Sequence, residues 1–217
     1  MTALESMSEF FTARVVGYDE HMLEDVEGCR EGYAEMARRI PAGTRTLLDL
    51  GCGTGLELDT IFPRFPDLHV TGIDLTAAML DRLAEKHRDK ALTLICGDYF
   101  EVDFGRACFD CAVSFETMHH FSHEKKTVLY RRICEALNDG GCYLECDYMV
   151  KTQAEEDFYF AENERLRREA GAREDEYFHY DTPCTVENQI RMLREAGFTE
   201  VEKILRLGGT VMLAAKK

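Results

Sequence analysis

Leu47-Leu48-Asp49-Leu50-Gly51-Cys52-Gly53-Thr54-Gly55 runs a short apolar stretch straight into three alternating glycines. This is the pattern of a strand that ends in a tight turn. Glycine is required where the backbone takes positive φ, or where a ligand approaches too closely for a β-carbon. Thr54 to Phe62 then reads as a helix whose free N-terminal amides point back at the turn, so a ligand is expected there. A dinucleotide fingerprint spaces its glycines Gly-x-Gly-x-x-Gly; here the spacing is Gly-x-Gly-x-Gly, with Asp49 two residues ahead of the first.

Outward from the turn, strand and helix alternate. Strands are predicted at Thr46–Leu50, Val70–Asp74, Leu92–Cys96, Phe109–Phe115 and Cys142–Tyr148. Helices are predicted at about Ala77–His87 and His123–Leu137. Such alternation implies a parallel sheet wound on both faces, with ligands at the C-terminal strand ends where strand order switches. Asp74 closes the second strand about twenty residues after the glycines, where a carboxylate can accept both hydroxyls of a ribose. The competing reading is a helix cap, a role that Thr76 can also fill.

Upstream, Ser6 and Glu9 have capping-box spacing for a helix from about Met7 to Val16, and Val26, Cys29, Tyr33, Met36 and Ile40 describe an amphipathic helix stopped by Pro41. Downstream, Ala154, Phe158, Ala161 and Leu166 form a weak helical stripe. Thr185 caps a last helix through Val186, Ile190, Leu193 and Ala196. Val201–Leu207 and Thr210–Ala215, turned at Gly208-Gly209, read as an antiparallel hairpin.

The chain has 217 residues, 45% of them hydrophobic, enough for one α/β domain with a modest addition. No stretch has the apolar length of a membrane span and Met1–Phe10 lacks the pattern of a secretory signal, so a cytoplasmic location is expected. Nine cysteines in no regular framework read as reduced thiols, the Cys108-x-x-Cys111 spacing and the Cys142/Cys146 pair notwithstanding. A formal net charge of −15 without any Lys/Arg block argues against a nucleic-acid partner. Arg165, Arg167 and Arg168 read as a solvated helix face.

The motif Leu48-Asp49-Leu50-Gly51-Cys52-Gly53-Thr54-Gly55 resembles the first motif of the class I S-adenosylmethionine-dependent methyltransferases. The resemblance covers residues 43–150 strongly, the terminal hairpin moderately and the flanking lids weakly. It implies a Rossmann-like fold: a mostly parallel seven-stranded sheet with helices on both faces and a C-terminal antiparallel hairpin. It divides a single domain into an N-terminal helical lid (1–42), a cofactor-binding core (43–150), a substrate lid insertion (151–185) and a last helix with hairpin (186–217).

The implied cofactor is S-adenosylmethionine, with S-adenosylhomocysteine as product, held by Tyr18, Asp49, Gly51, Gly53, Gly55, Asp74, Leu75, Met79, Asp98, Tyr99, Ser114 and Phe115. In this assignment Asp98 accepts from the adenine amino group and Tyr18 covers the cofactor. Arg14 is the lid candidate for reading a carboxylated form of it. The loop Ser114–Phe121 resembles the segment placed between cofactor and acceptor, which makes Glu116, His119 and His120 candidate general bases.

Tyr177 and His179, in the aromatic and polar stretch Glu176–Asp181, are the candidate acceptor residues. No metal is expected, because no carboxylate or cysteine shares the local spacing of His119, His120 and His123. The expected partner is a small-molecule acceptor, without nucleic acid or membrane, for a monomer or homodimer. The alternatives are a tRNA or protein methyltransferase, a non-catalytic S-adenosylmethionine binder, and a nicotinamide-dependent oxidoreductase.

Overall fold

The structure is a computed structural model that describes residues 4–173 and 176–217. The first three residues of the expected N-terminal lid and two residues inside the expected 151–185 insertion therefore lie outside the described residues. In chain order the elements are α1 (Met7–Arg14), α2 (Tyr18–Glu24), α3 (Cys29–Arg39), β1 (Thr46–Leu50), α4 (Leu56–Ile61), β2 (His69–Asp74), α5 (Ala77–Lys86), β3 (Ala91–Cys96), β4 (Phe109–Phe115), α6 (His123–Ala136), β5 (Leu137–Val150), α7 (Gln153–Ala170), β6 (Cys184–Thr185), α8 (Val186–Glu195), β7 (Glu200–Leu207) and β8 (Thr210–Lys216).

The main path of the sheet runs β3-β2-β1-β4-β5-β8-β7, and the two-residue β6 pairs in parallel with the end of β5. Pairing is parallel from β3 to β5 and antiparallel on both sides of β8. Because β1 lies between β2 and β4, strand order reverses beside it, and the crevice expected of open α/β sheets opens beyond Leu50 and Phe115.

Period-two alternation along the central strands divides the core. Leu47, Val70, Cys111 and Leu144 pack under α3, α4 and α5, while Leu48, Ile73, Ala112 and Tyr143 pack under α6 and α8. Strands buried on both faces explain the apolar runs that made the core readable.

Two expected helices come out differently. The stretch from Val26 to Ile40 is not one helix: Gly28 takes φ +84, and a β-carbon there would stand 2.8 Å from Leu207 Cβ, so the chain turns against β7 before α3 begins at Cys29. α7 forms, but with another face inward. Phe158 is 64% exposed, and Glu156 is the residue that α7 buries. What holds the start of α7 is a complete capping box: Thr152 Oγ1 accepts from Glu155 N at 3.2 Å, and Glu155 Oε2 accepts from Thr152 N at 2.9 Å. Thr152→Ala is accordingly expected to cost about 1 kcal/mol in thermal or urea unfolding. An unchanged melting temperature would mean that tertiary contacts, not the cap, hold this helix.

Candidate active site

The glycine turn takes the shape its sequence requires. Gly51, Gly53 and Gly55 have φ of +69, +47 and +73. Asp74, at the end of β2, ties the turn to the next helix: Oδ2 accepts from Gly53 N at 2.9 Å and Oδ1 from Thr76 N at 2.8 Å. Thr76 makes no side-chain cap, so the carboxylate does the work expected of the threonine while also facing the crevice. Burial raises the Asp74 pKa, and the hydrogen bonds from Thr76 and Gly53 oppose that rise.

A first cavity opens on this turn. Tyr18, Gly51, Gly53, Asp74, Leu75, Met79, Asp98, Tyr99 and Phe115 line it. Asp98 also closes its own turn, accepting from Phe100 N at 2.8 Å, so its two readings coexist.

Three residues assigned to the cofactor lie off this wall. Asp49 is buried beneath the turn beside Glu57, and burial foremost raises both carboxyls. Gly55 faces α5, where a β-carbon would stand 2.9 Å from Leu83 Cγ. Ser114 is buried in the sheet, 2.6 Å from the Tyr143 hydroxyl. These residues support the turn and the strand: Asp49 and Ser114 are buried in the layers, and Gly55 abuts α5.

A second cavity adjoins the first and shares with it Phe11, Tyr18, Glu116 and His120. His119, Tyr148, His179, Asp181 and Thr210 are among its other lining residues. Glu116 has φ +48, a left-handed conformation that a non-glycine residue holds only when its surroundings fix it. Its amide donates to Cys146 O at 2.8 Å, and Thr210 Oγ1 donates to its Oε1 at 3.3 Å.

His119 Nδ1 lies 2.6 Å from Asp147 Oδ1 and 3.5 Å from Glu116 Oε2, while its Nε2 lies 3.6 Å from Asp181 Oδ1. Burial acts to lower the His119 pKa, but the carboxylates, Asp147 foremost, outweigh it and push it up to about 9. Burial raises Glu116 to about 8, and drives His120 well below the usual histidine value, helped by the charge of His119.

The expectation of no metal rested on the local spacing around the histidines. That premise does not hold in three dimensions, because Asp147 from β5 and Asp181 from the loop before β6 reach His119 and His120 from outside that spacing.

Tyr177 and His179 are two residues apart yet separate. Tyr177 lines the first cavity, beside Phe121 and stacked 6.0 Å from Phe100; His179 lines the second, stacked on Phe10 at 3.5 Å. The segment around them is stitched to the N-terminal lid by Met7 N→Tyr177 O at 3.0 Å, His179 N→Glu5 O at 3.0 Å and an antiparallel bridge between Ser6 and Phe178. The lid is also pinned at Asp19, whose carboxylate accepts from Thr54 Oγ1 at 2.5 Å and pairs with Lys86 and Arg82. Arg14 lies over the Phe10 ring on the second cavity and not on the first. Arg165 and Arg168 pair with glutamates of α7, whereas Arg167 reaches the backbone of Arg173 and Glu176.

Strand order, a glycine turn at the switch point and an acidic residue closing β2 define a Rossmann-like α/β domain of the nucleoside-binding kind. Residues 47–141 match the family model of the methyltransferase domain, and this part of the chain is a class I, S-adenosylmethionine-dependent methyltransferase domain. Malonyl-acyl-carrier-protein O-methyltransferase of Priestia megaterium is 30% identical over 89 residues, 40% of this chain and 32% of that protein. The 3-O-methylredipecamine 2-O-methyltransferase of Carapichea ipecacuanha is 28% identical over 137 residues, 63% of this chain and 36% of that protein. The chain thus spans about a third of the length of these relatives. Human N-acetylserotonin methyltransferase in complex with S-adenosylmethionine superposes with a TM-score of 0.68 at 16% identity, over 100% of this chain and 60% of that one.

Proposed function

We propose that this protein transfers a methyl group from S-adenosylmethionine to a small-molecule acceptor. The observation that carries the reading is the pair of adjoining cavities: one is lined by the glycine turn, Asp74 and Asp98, the other by aromatic and titratable side chains, and Glu116 and His120 border both.

The lining of the first cavity suits the cofactor's chemistry. A β-carbon on Gly53 would point at a gap, its nearest neighbours being 4.0 Å away, where a ligand backbone can approach. Asp74 keeps acceptor lone pairs for a ribose, Asp98 stands where an amino group can donate, and Leu75, Met79 and Tyr99 offer an apolar bed. Bound there, S-adenosylmethionine supplies a methyl group already activated by its sulfonium. The protein's task is then alignment and exclusion of water. Phe11 and Tyr18 close the junction from the lid, and Glu116, His119 and His120 stand where an acceptor atom must approach and lose its proton.

The net charge of −15 supports a small acceptor over a nucleic acid. Among the described residues no helix is long and apolar enough to cross a membrane. All nine cysteines are free, which supports a reducing, cytoplasmic setting. We read residues 1–217 as one domain in which α1 to α3 and the insertion after β5 form the cover.

Calorimetric titration is expected to show micromolar binding of S-adenosylmethionine and S-adenosylhomocysteine; heat from a nicotinamide dinucleotide and none from these two would overturn the reading. The divided positions of Tyr177 and His179 sharpen the test. Tyr177→Ala is expected to weaken S-adenosylhomocysteine about tenfold, the loss of one aromatic contact of about 1 kcal/mol with its buried area. His179→Ala is expected to leave that affinity within a few-fold and to alter acceptor turnover. Equal loss in both variants would make the segment a structural cover only.

A further inference from the structure

His119, His120 and Asp181 meet at the floor of the second cavity, and we propose that they form a binding site for a divalent first-row transition metal ion of the zinc or iron(II) type. The inference deepens the reading of this cavity as the acceptor site and rests on it for the metal's use, though not for its binding.

His119 Nε2 and His120 Nδ1 each lie 3.6 Å from Asp181 Oδ1, and the three atoms fall within 4.8 Å of one another. Metal–ligand bonds of about 2.0–2.2 Å place neighbouring ligands roughly 3 to 3.5 Å apart, so the two contacts to Asp181 need only a slight contraction. Two of the three atoms are buried without any hydrogen-bond partner: His120 Nδ1, on a side chain only 4% exposed, and Asp181 Oδ1. A buried lone pair aimed at a buried carboxylate oxygen is costly unless something sits between them.

The opposite ring atoms are already engaged. His119 Nδ1 lies 2.6 Å from Asp147 Oδ1, and the His120 ring hydrogen-bonds the Tyr180 backbone, which with Nδ1 unpartnered falls to Nε2. A carboxylate behind one ligating imidazole and a backbone carbonyl behind the other is the arrangement that fixes ring orientation and tautomer in metal centres. Two imidazoles and one carboxylate suit zinc or iron(II) rather than magnesium or calcium, which prefer oxygen donors throughout.

A neighbouring cluster illustrates the contrast. His123, Glu156 and Cys184 also converge, but Lys126 Nζ lies 3.1 Å from Cys184 Sγ, and Glu156 is occupied by Thr185 N and Asn188 Nδ2. A cation already stands in that cluster. At His119, His120 and Asp181 the remaining coordination positions face the second cavity, so the acceptor class is one that presents an oxygen donor, whose proton a bound ion would acidify.

The test uses the full chain, stripped with chelator and equilibrated with ZnCl₂ or CoCl₂. One equivalent of metal by elemental analysis is expected, with visible d–d bands for cobalt. Asp181→Asn, on a side chain 39% exposed and so tolerated by the fold, and His120→Ala are each expected to abolish the bands; Asp147→Asn is expected to weaken binding about 10- to 100-fold. His123→Ala is expected to change nothing. Absence of stoichiometric metal, bands that persist in folded Asp181→Asn, or bands lost with His123→Ala instead would each overturn the proposal. S-adenosylhomocysteine titration of the same samples separates the two readings, since metal bound without any nucleoside binding overturns the methyl-transfer proposal and leaves this site standing.

Discussion

Gly51→Ala is expected to lower the melting temperature sharply and to abolish measurable cofactor binding. Two independent costs coincide at this residue. Its φ of +69 is a left-handed conformation that costs an L-residue about 1–2 kcal/mol. The new methyl would then stand 2.5 Å from Thr117 Oγ1 and 2.9 Å from Thr117 Cβ, an overlap worth about 1–3 kcal/mol if the chain yields. Together they come to roughly 2–5 kcal/mol, and at about 2–4 °C per kcal/mol for a chain of this size the shift is of the order of 10 °C.

The displaced Thr117 is also the partner of the Tyr99 hydroxyl at 3.1 Å, so the strain reaches the opposite wall of the same cavity. Adding Thr117→Gly to Gly51→Ala removes the overlap but not the dihedral cost. The double variant should therefore recover part of the stability, and a double variant no better than the single one would show that the steric account is wrong. A single variant that melted within a degree of wild type would show that the turn is not held in this conformation.

Asp74→Asn is expected to weaken S-adenosylmethionine by about tenfold to a hundredfold, the loss of one charge-assisted hydrogen bond of roughly 1.5–3 kcal/mol. The sequence alone suggests a free strand end that would tolerate the change. The structure does not, because both carboxylate oxygens already accept backbone amides, from Gly53 and from Thr76. An amide side chain has one acceptor oxygen, so one of those N–H groups loses its partner at a cost of about 1–3 kcal/mol. Ligand-free stability should therefore fall together with affinity. The pair of measurements, dissociation constant and apo melting temperature, decides the matter: stability lost with affinity intact would leave Asp74 a structural tie alone.

The parts of the fold legible in the sequence are those governed by local periodicity. β4 runs from Phe109 to Phe115, end to end as its apolar run predicts, and Thr185 caps α8 through Asn188 N. The glycine turn and Asp74 were legible because turn chemistry is short-ranged. The acidic partners of His119 were not, since Asp147 and Asp181 arrive from another strand and another loop. A signal did exist in Leu144-Glu145-Cys146-Asp147, where two carboxylates share one face of a strand that is otherwise apolar. Charges buried there need partners: Glu145 finds Gln189 and the Tyr143 hydroxyl, and Asp147 finds His119. The helix break at Gly28 was hidden for the same reason, being imposed by Leu207 from the far end of the chain.

The bridge between Ser6 and Phe178, with the amide bonds from Met7 and His179 on either side of it, gives both cavities a common cover. Its consequence is kinetic. A lid that shut only the nucleoside would let acceptors come and go while the cofactor stayed bound. Here one seam carries residues that line both cavities, so, on the proposed methyl transfer, parting it is expected to expose the cofactor and acceptor sites together, a coupling that release rates of S-adenosylhomocysteine with and without acceptor would check. The pin at Asp19, with Thr54 on one side and Lys86 and Arg82 on the other, holds the same N-terminal cover by charge, so salt that screens it is expected to loosen that cover and speed ligand release.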